Sequence, residues 1–407
     1  MSLGCVTAMT DTLSVMIRFV PLAVGLRPFF LLAAVDAFFN MGLWLVVYLN
    51  PNFWPTSAIP AMYWHSHEML FGFVAAAIGG FLLTAVPGWT GEKSCAGWRL
   101  GVLIAIWLAG RIVMFPFLSC PPIFAALIDV AFFPALVATL SPPLVRSRKL
   151  RNVPFVVLLT LLFVADLIFH LGSLNILTGG QLTALVGTID VVQILVAVVG
   201  GRIIPAFTKS GLLRHGIAVE IASNSWLEAG AIVAITLVLV GDVVAPQSVW
   251  NGAVALAASA LQGARLVQWK GYRTLRDPLI WVLHLGYGWL VIGLAFKGLW
   301  LIAAFPFAEK WLHAVTVGAF ATMIIAVMTR ASLGHTGRSL IAPTPIAIAY
   351  LLISLAAAIR VFGPVIAPAN YNAIVLAAGA SWMCAFAIFV FIYTPILMRS
   401  RMDGKPG

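Results

Sequence analysis

Long apolar stretches dominate the chain, and short segments rich in proline and glycine separate them. A helix that crosses a hydrocarbon core of about 30 Å needs about 20 apolar residues. Because a continuous helix satisfies its own backbone hydrogen bonds in lipid, each such stretch predicts one span. The pattern therefore predicts an all-α polytopic membrane protein with twelve transmembrane helices. The predicted spans are residues 27–49, 61–87, 97–118, 121–142, 153–175, 181–207, 217–240, 247–268, 278–301, 309–330, 343–362 and 369–398.

Basic residues separate cleanly between the two sides of this arrangement. If both termini and the even-numbered loops share one side, 20 of the 24 Lys and Arg residues lie there. The positive-inside rule makes that side cytoplasmic. We therefore predict a cytoplasmic N-terminal segment (1–26), a single membrane domain (27–398) and a cytoplasmic tail (399–407). The four basic residues on the opposite side are Arg111, Lys297, Lys310 and Arg360.

Composition agrees with a membrane location. Hydrophobic residues make up 62% of the chain and charged residues only 9%, too few to cover a soluble globule of 407 residues. The basic residues that give the net charge of +11 lie in short loops between apolar stretches. This charge therefore indicates membrane topology, and we do not expect the chain to bind nucleic acid. The four cysteines have no CxxC spacing, which argues against a thiolate metal site.

A Leu-Arg pair followed by proline precedes spans 1, 5 and 9, at residues 26–28, 150–154 and 275–278. This spacing suggests three four-helix repeats, at residues 27–142, 153–268 and 278–398. The alternative is coincidence, because arginine before a helix that starts with proline is common on the cytoplasmic side.

Ionisable residues inside a membrane are costly, so each is a candidate functional group. The candidates are Asp36, Glu68, Asp129, Asp166, Asp190, Glu220 and Glu228. For Asp36, Asp129 and Glu220 we favour simple pairing with a buried arginine or lysine. Intramembrane carboxylates such as Asp190 and Glu228 also fit the alternative function, a twelve-helix secondary transporter.

Four histidines, His65, His67, His170 and His313, are predicted to lie in the non-cytoplasmic leaflet. On a helix the rings of His65 and His67 are about 200° apart, so they would serve two neighbouring sites. His65 shares its face with Met69, a soft metal ligand. Asp166 precedes His170 by one turn, the spacing of a carboxylate that orients a metal-binding imidazole.

Several ordered blocks resemble the NnrS family of bacterial membrane proteins, over residues 27 to 360. The blocks are RPFFLLAA (27–34), WHSHEMLFGF (64–73), GGFLLTAVPGWTG (79–91), GGRIIPAFT (200–208), HLGYGW (284–289), HAVTVGAF (313–320) and VMTRASLGHTGR (327–338). The resemblance implies an inner-membrane protein that carries b-type haem and copper, meets nitric oxide or another small diatomic ligand, and protects against nitrosative stress. It makes His65, His67, His284, His313 and His335 the motif histidines.

The architecture is also distantly similar to the catalytic subunit of haem-copper oxidases, in which helices 2 and 10 hold the low-spin haem. Such oxidases need copper-binding histidines in spans 6 and 7, and this sequence has none there. A terminal oxidase is therefore not expected. A quinol-linked redox enzyme is a third hypothesis, although no motif identifies a quinone pocket.

A haem between two helices needs one imidazole from each at the same depth. His313 meets this condition with either His65 or His67, and we favour His67, leaving His65 and Met69 for copper. His170 is a further candidate metal ligand.

A second site is predicted in the cytoplasmic leaflet. There His284 and His335 would bind a second haem, and Arg330 and Arg338 carry guanidiniums that suit its propionates. The alternative for these residues is close helix packing and contact with lipid headgroups.

Overall fold

The computed structural model describes residues 20–55, 59–222 and 224–404, and within these ranges all regular structure is helical. Residues 1–19 of the predicted N-terminal segment and 405–407 of the tail lie outside the described part. The twelve helices, numbered in chain order, are α1 (Leu26–Leu49), α2 (Ala61–Thr90), α3 (Trp98–Val113), α4 (Pro122–Arg146), α5 (Val153–Ser173), α6 (Gly180–Arg214), α7 (Ser225–Val244), α8 (Val249–Gln268), α9 (Pro278–Ala303), α10 (Trp311–His335), α11 (Thr344–Ile366) and α12 (Tyr371–Met398).

Ten of the described helices are long and apolar enough to cross a membrane. The other two are α3, which has 16 residues, and α8, which buries the polar residues Asn251, Gln262 and Arg265. The predicted all-α fold with twelve helices is confirmed, and its many apolar helices indicate a membrane protein.

Local chemistry explains where several helices begin. The side chain of Asn224 accepts hydrogen bonds from the backbone N–H groups of Trp226 and Leu227, so α7 begins at Ser225 and not at residue 217 as predicted. Asp277 caps α9 in the same way through the N–H of Leu279. These caps satisfy backbone donors that the first helical turn leaves unpaired.

Helices α2, α6 and α10 form the centre of the bundle. Their most apolar windows are 83%, 67% and 67% buried, the three highest fractions among the ten candidate spans, and the three helices contact one another. Helices that follow one another in sequence also pack side by side, as α4 with α5 and α8 with α9. The contact between α12 and α1 closes this order into a ring. The ring divides into three groups of four: α2 to α5, α6 to α9, and α10 to α12 with α1.

Two of the central helices contain a wide π-helical turn. One such segment, Glu68–Val74, begins directly after His67, and the other, Ala314–Ala321, begins directly after His313. π-Helical segments are rare and concentrate at functional sites, because they redirect side chains within a helix. The two segments lie at the same end of the bundle.

Candidate functional site

At the end of the bundle that contains the two π-helical segments, each group of four helices encloses polar residues. Each of these three sets of polar residues includes one residue from a central helix. These residues are His67 in α2, Asp190 in α6 and His313 in α10, separated by equal intervals of 123 residues. The surroundings of the three residues differ, so the groups do not share one chemistry.

A cavity of about 1000 Å³ lies among α1, α2, α10, α11 and α12. His65 and His313 both line it, and the two rings are close enough to interact electrostatically. His65 stacks on Trp44 with ring centroids 4.5 Å apart and planes 14° from parallel. We call this space the histidine cavity. The histidine cavity brings together the ends of α2 and α10, which the sequence predicted to lie at the same depth in the membrane.

Two polar atoms at the histidine cavity are buried without a hydrogen-bond partner, His65 Nδ1 and Arg360 Nη1. The other terminal nitrogen of Arg360, Nη2, donates to the hydroxyl of Tyr371 at 3.1 Å. Buried polar atoms normally have partners, so these two atoms are available to a polar ligand or to water. The unpartnered guanidinium nitrogen matches a carboxylate or another anion.

A second cavity of about 550 Å³ adjoins the first between α1, α2, α6 and α10. Its lining is entirely apolar. Val74 and Phe320, which belong to the two π-helical segments, line both spaces. We call it the apolar cavity. The side chains of Val74 and Phe320 therefore lie between the apolar cavity and the histidine cavity.

His67 does not face the histidine cavity but belongs to a separate group, which we call the carboxylate cluster. Its Nε2 lies 3.1 Å from Asp129 Oδ2 and 3.3 Å from Asp166 Oδ1. His170 Nε2 lies 2.9 Å and 3.7 Å from the same two oxygens. All four residues are at most 2% exposed.

Arg111 borders the carboxylate cluster. It donates to Glu68 Oε1 at 2.7 Å and forms an ion pair with Asp129. The expected pairing of Asp129 with a buried arginine is therefore confirmed, but Asp129 also faces both imidazoles. Glu220 is exposed in the segment before α7, so it is no intramembrane charge.

The carboxylates proposed for a transporter are both paired. Asp190 lies 3.6 Å from Lys297, which also forms an ion pair with Asp242. Glu228 accepts a hydrogen bond of 2.6 Å from Arg265. Asp242 did not stand out in the sequence because it lies at the end of its span.

The predicted cytoplasmic pair of histidines is not brought together. His284 Nε2 lies 2.9 Å from Thr208 Oγ1, whereas His335 is exposed at the end of α10 and its carbonyl accepts from Arg401. His284 Nδ1 is buried without a partner. The two rings therefore occupy different environments.

Arg330 and Arg338, the predicted propionate partners of the second haem, lie toward the other end of α10 from the histidine cavity. Arg330 follows His313 by 17 residues, about 25 Å along a helix, and its guanidinium lies 4.0 Å from the ring centroid of Phe207. Arg338 Nη1 lies 3.5 Å from the carbonyl of Thr336. The arginine at the cavity is Arg360, which the sequence marked only as a basic residue on the non-cytoplasmic side.

The geometry also differs from the sequence-based pairing of His67 with His313, because His65 shares the cavity with His313. Periodicity could not decide between the two rings, since α2 is apolar and buried on nearly all sides. Met69 lines the same cavity as His65. The four histidines of this leaflet therefore divide into two sites.

A family model described as NnrS protein matches residues 21–401. A comparison with curated proteins found no match. The family match covers all twelve helices and both histidine sites.

Proposed function

The chain belongs to the NnrS family, and from this membership and the histidine cavity we propose that it binds haem and handles or senses nitric oxide. The single observation that carries the proposal is that His65 and His313 line one cavity. The two rings come from different helices and face one space, as binding of a large flat ligand between them requires.

The residues present fit haem. His65 and His313, from two helices, would hold the iron of a b-type haem. His65 Nδ1 and Arg360 Nη1 are buried without partners. Arg360 would pair with a propionate carboxylate of the haem. The stacked ring of Trp44 fixes the orientation of His65.

When bound, haem would supply an iron that binds diatomic molecules and exchanges electrons. The protein's own contribution is to hold the two imidazoles, neutralise a carboxylate with Arg360 and exclude water with an apolar lining. The apolar cavity supports nitric oxide as the ligand, because a small apolar molecule concentrates in the membrane and can pass Val74 and Phe320.

Copper, the second cofactor that the resemblance implies, competes with haem at the predicted position. His65 and Met69 line the same cavity, so a copper site there would use the imidazole that we assign to haem. One imidazole nitrogen binds one metal. We therefore assign this cavity to haem.

The proposed location is the bacterial inner membrane with both termini in the cytoplasm, as the distribution of basic residues favours. Lipid and the diatomic ligand are the proposed partners, with no role for nucleic acid. The alternative, a secondary transporter, is less well supported, because Asp190 and Glu228 are engaged in ion pairs.

An optical spectrum of the detergent-purified protein tests the proposal. We expect a Soret band, a pyridine haemochrome typical of b-type haem, and a spectral change when nitric oxide is added. A purified protein without haem, which cannot be loaded with haem after expression in a haem-replete host, would contradict it.

A further inference from the structure

The carboxylate cluster is independent of the histidine cavity and contains four potential metal donors. These are His67 Nε2, His170 Nε2 and one oxygen each of Asp129 and Asp166, and all four atoms lie within 4.8 Å of one another. They come from α2, α4 and α5, so the packing of these helices, rather than a local sequence motif, assembles the cluster. We propose that this cluster binds a divalent transition-metal ion such as Zn²⁺ or Fe²⁺.

The spacing of the donors fits four-coordinate binding. In a tetrahedral site with bonds of about 2.0–2.1 Å, neighbouring donor atoms lie about 3.3 Å apart. The four nitrogen–oxygen distances in the cluster are 2.9, 3.1, 3.3 and 3.7 Å. An ion at the centre would therefore require only small movements of side chains.

The contacts of His67 are compatible with a cation at Nε2 when the ring carries its proton on Nδ1. His67 Nδ1 is 3.0 Å from Glu68 Oε1, which also accepts from Arg111 at 2.7 Å. A ring that donates from Nδ1 presents the lone pair of Nε2, and this lone pair faces two carboxylate oxygens. A metal ion between these atoms removes the repulsion. A carboxylate behind a histidine is also the usual support of a metal-binding imidazole.

The charges of the cluster favour a divalent ion. With both imidazoles neutral, the carboxylates of Glu68, Asp129 and Asp166 face the single guanidinium of Arg111. The two excess negative charges would have to be balanced in a buried environment, by protons or by a bound cation. A divalent cation balances the two charges.

A further cavity lies beside the cluster at the end of the bundle. The cavity measures about 560 Å³ and is lined by His170 and Ser173 of α5 together with Met114, Phe115, Pro116 and Leu118, which follow α3. His170 therefore connects this cavity with the carboxylate cluster. An ion could enter here without crossing the histidine cavity.

The donor set selects the kind of metal. Two imidazoles and two carboxylates suit borderline divalent ions, whereas Cu⁺ prefers sulfur ligands. The thioether of Met69 lines the histidine cavity, away from these donors. The cluster is therefore predicted to bind Zn²⁺ more tightly than Cu⁺.

Metal analysis of the purified full-length protein, after chelation and re-equilibration with Zn²⁺, tests the inference. We expect about one Zn²⁺ per chain and a higher melting temperature with the ion, because a ligand that binds only the folded state stabilises it. Asp166→Asn, which preserves side-chain shape, should abolish both effects. Glu68→Gln should weaken binding about 10- to 100-fold.

The matched control is His215→Ala, because His215 is an exposed histidine outside the cluster. This variant should bind Zn²⁺ as the wild type does. The inference is overturned if wild-type protein binds no Zn²⁺, or if Asp166→Asn and His170→Ala both retain it. Haem content measured on the same samples separates this result from failure of the proposed haem site.

Discussion

His67 and His313 occupy matching positions, each directly before the π-helical segment of its central helix, but they face different environments. His313 lines the histidine cavity, whereas His67 points into the carboxylate cluster. The ring that meets His313 across the cavity belongs to His65. Helix α2 therefore contributes one imidazole to each of two sites, as their separation of about 200° around the helix allows.

Replacing Arg360 by alanine should weaken retention of haem. A hydrogen bond to a charged group contributes about 1.5–3 kcal/mol, so we expect haem to dissociate about 10- to 100-fold faster. Transfer of haem to an acceptor protein measures this rate. The control is Arg330→Ala, which removes a guanidinium at the other end of α10 and should leave the rate unchanged. Faster release from Arg330→Ala alone would instead indicate a haem at the cytoplasmic end.

Enlarging Val74 should slow access of nitric oxide to the histidine cavity. Val74 is 3% exposed and lines both cavities, so a phenylalanine there narrows the passage between them. We expect slower rebinding of the ligand after flash photolysis, with an unchanged Soret band. Val35→Phe is the control, because Val35 is 49% exposed on the outer surface of α1. Equal rates in the two variants would exclude this route.

Lys297→Met should destabilise the protein. Lys297 is 1% exposed and pairs with Asp190 and Asp242, and removing one partner of a buried ion pair costs about 3–5 kcal/mol. Thermal unfolding in detergent measures the loss. Lys310→Met disrupts the pair with the half-exposed Glu309 and should cost under about 1 kcal/mol. If both variants unfold at the same temperature, Lys297 has no such structural role.

Much of the fold could be predicted because lipid imposes a simple rule on sequence. Apolar length predicted all twelve helices, and the errors lie at their ends, where caps such as Asn224 decide. The break in α4 after Asp129 was not predicted, since the apolar pattern continues through it. Hydrophobicity does not encode the direction of individual side chains.

The candidate sites were only partly predictable for the same reason. The predicted depth of each residue in the membrane placed four histidines in the same leaflet: His65, His67, His170 and His313. The division of this group into two sites depends on how α2 is rotated against α1, α5 and α10, and a helix buried on all sides carries no pattern that reports its rotation. Arg360 could have been recognised, because an arginine inside a predicted span is unusual, even two residues from its end.

Reporter fusions should confirm the predicted topology. Alkaline phosphatase, which is active only outside the cytoplasm, should be inactive after the C-terminus and active when inserted between α9 and α10. The reason is that 20 of the 24 basic residues lie on the side of the termini. An active C-terminal fusion would reverse the orientation and place both histidine sites at the cytoplasmic face.

The most direct test of the account is the haem content and optical spectrum of single histidine variants, purified and shown to be folded. His65→Ala and His313→Ala should each lose the wild-type Soret band or convert it to a five-coordinate form. His67→Ala and His284→Ala should keep it, because neither ring lines the histidine cavity. If His65→Ala retains the wild-type spectrum and haem content while His67→Ala or His284→Ala loses them, haem does not lie between His65 and His313.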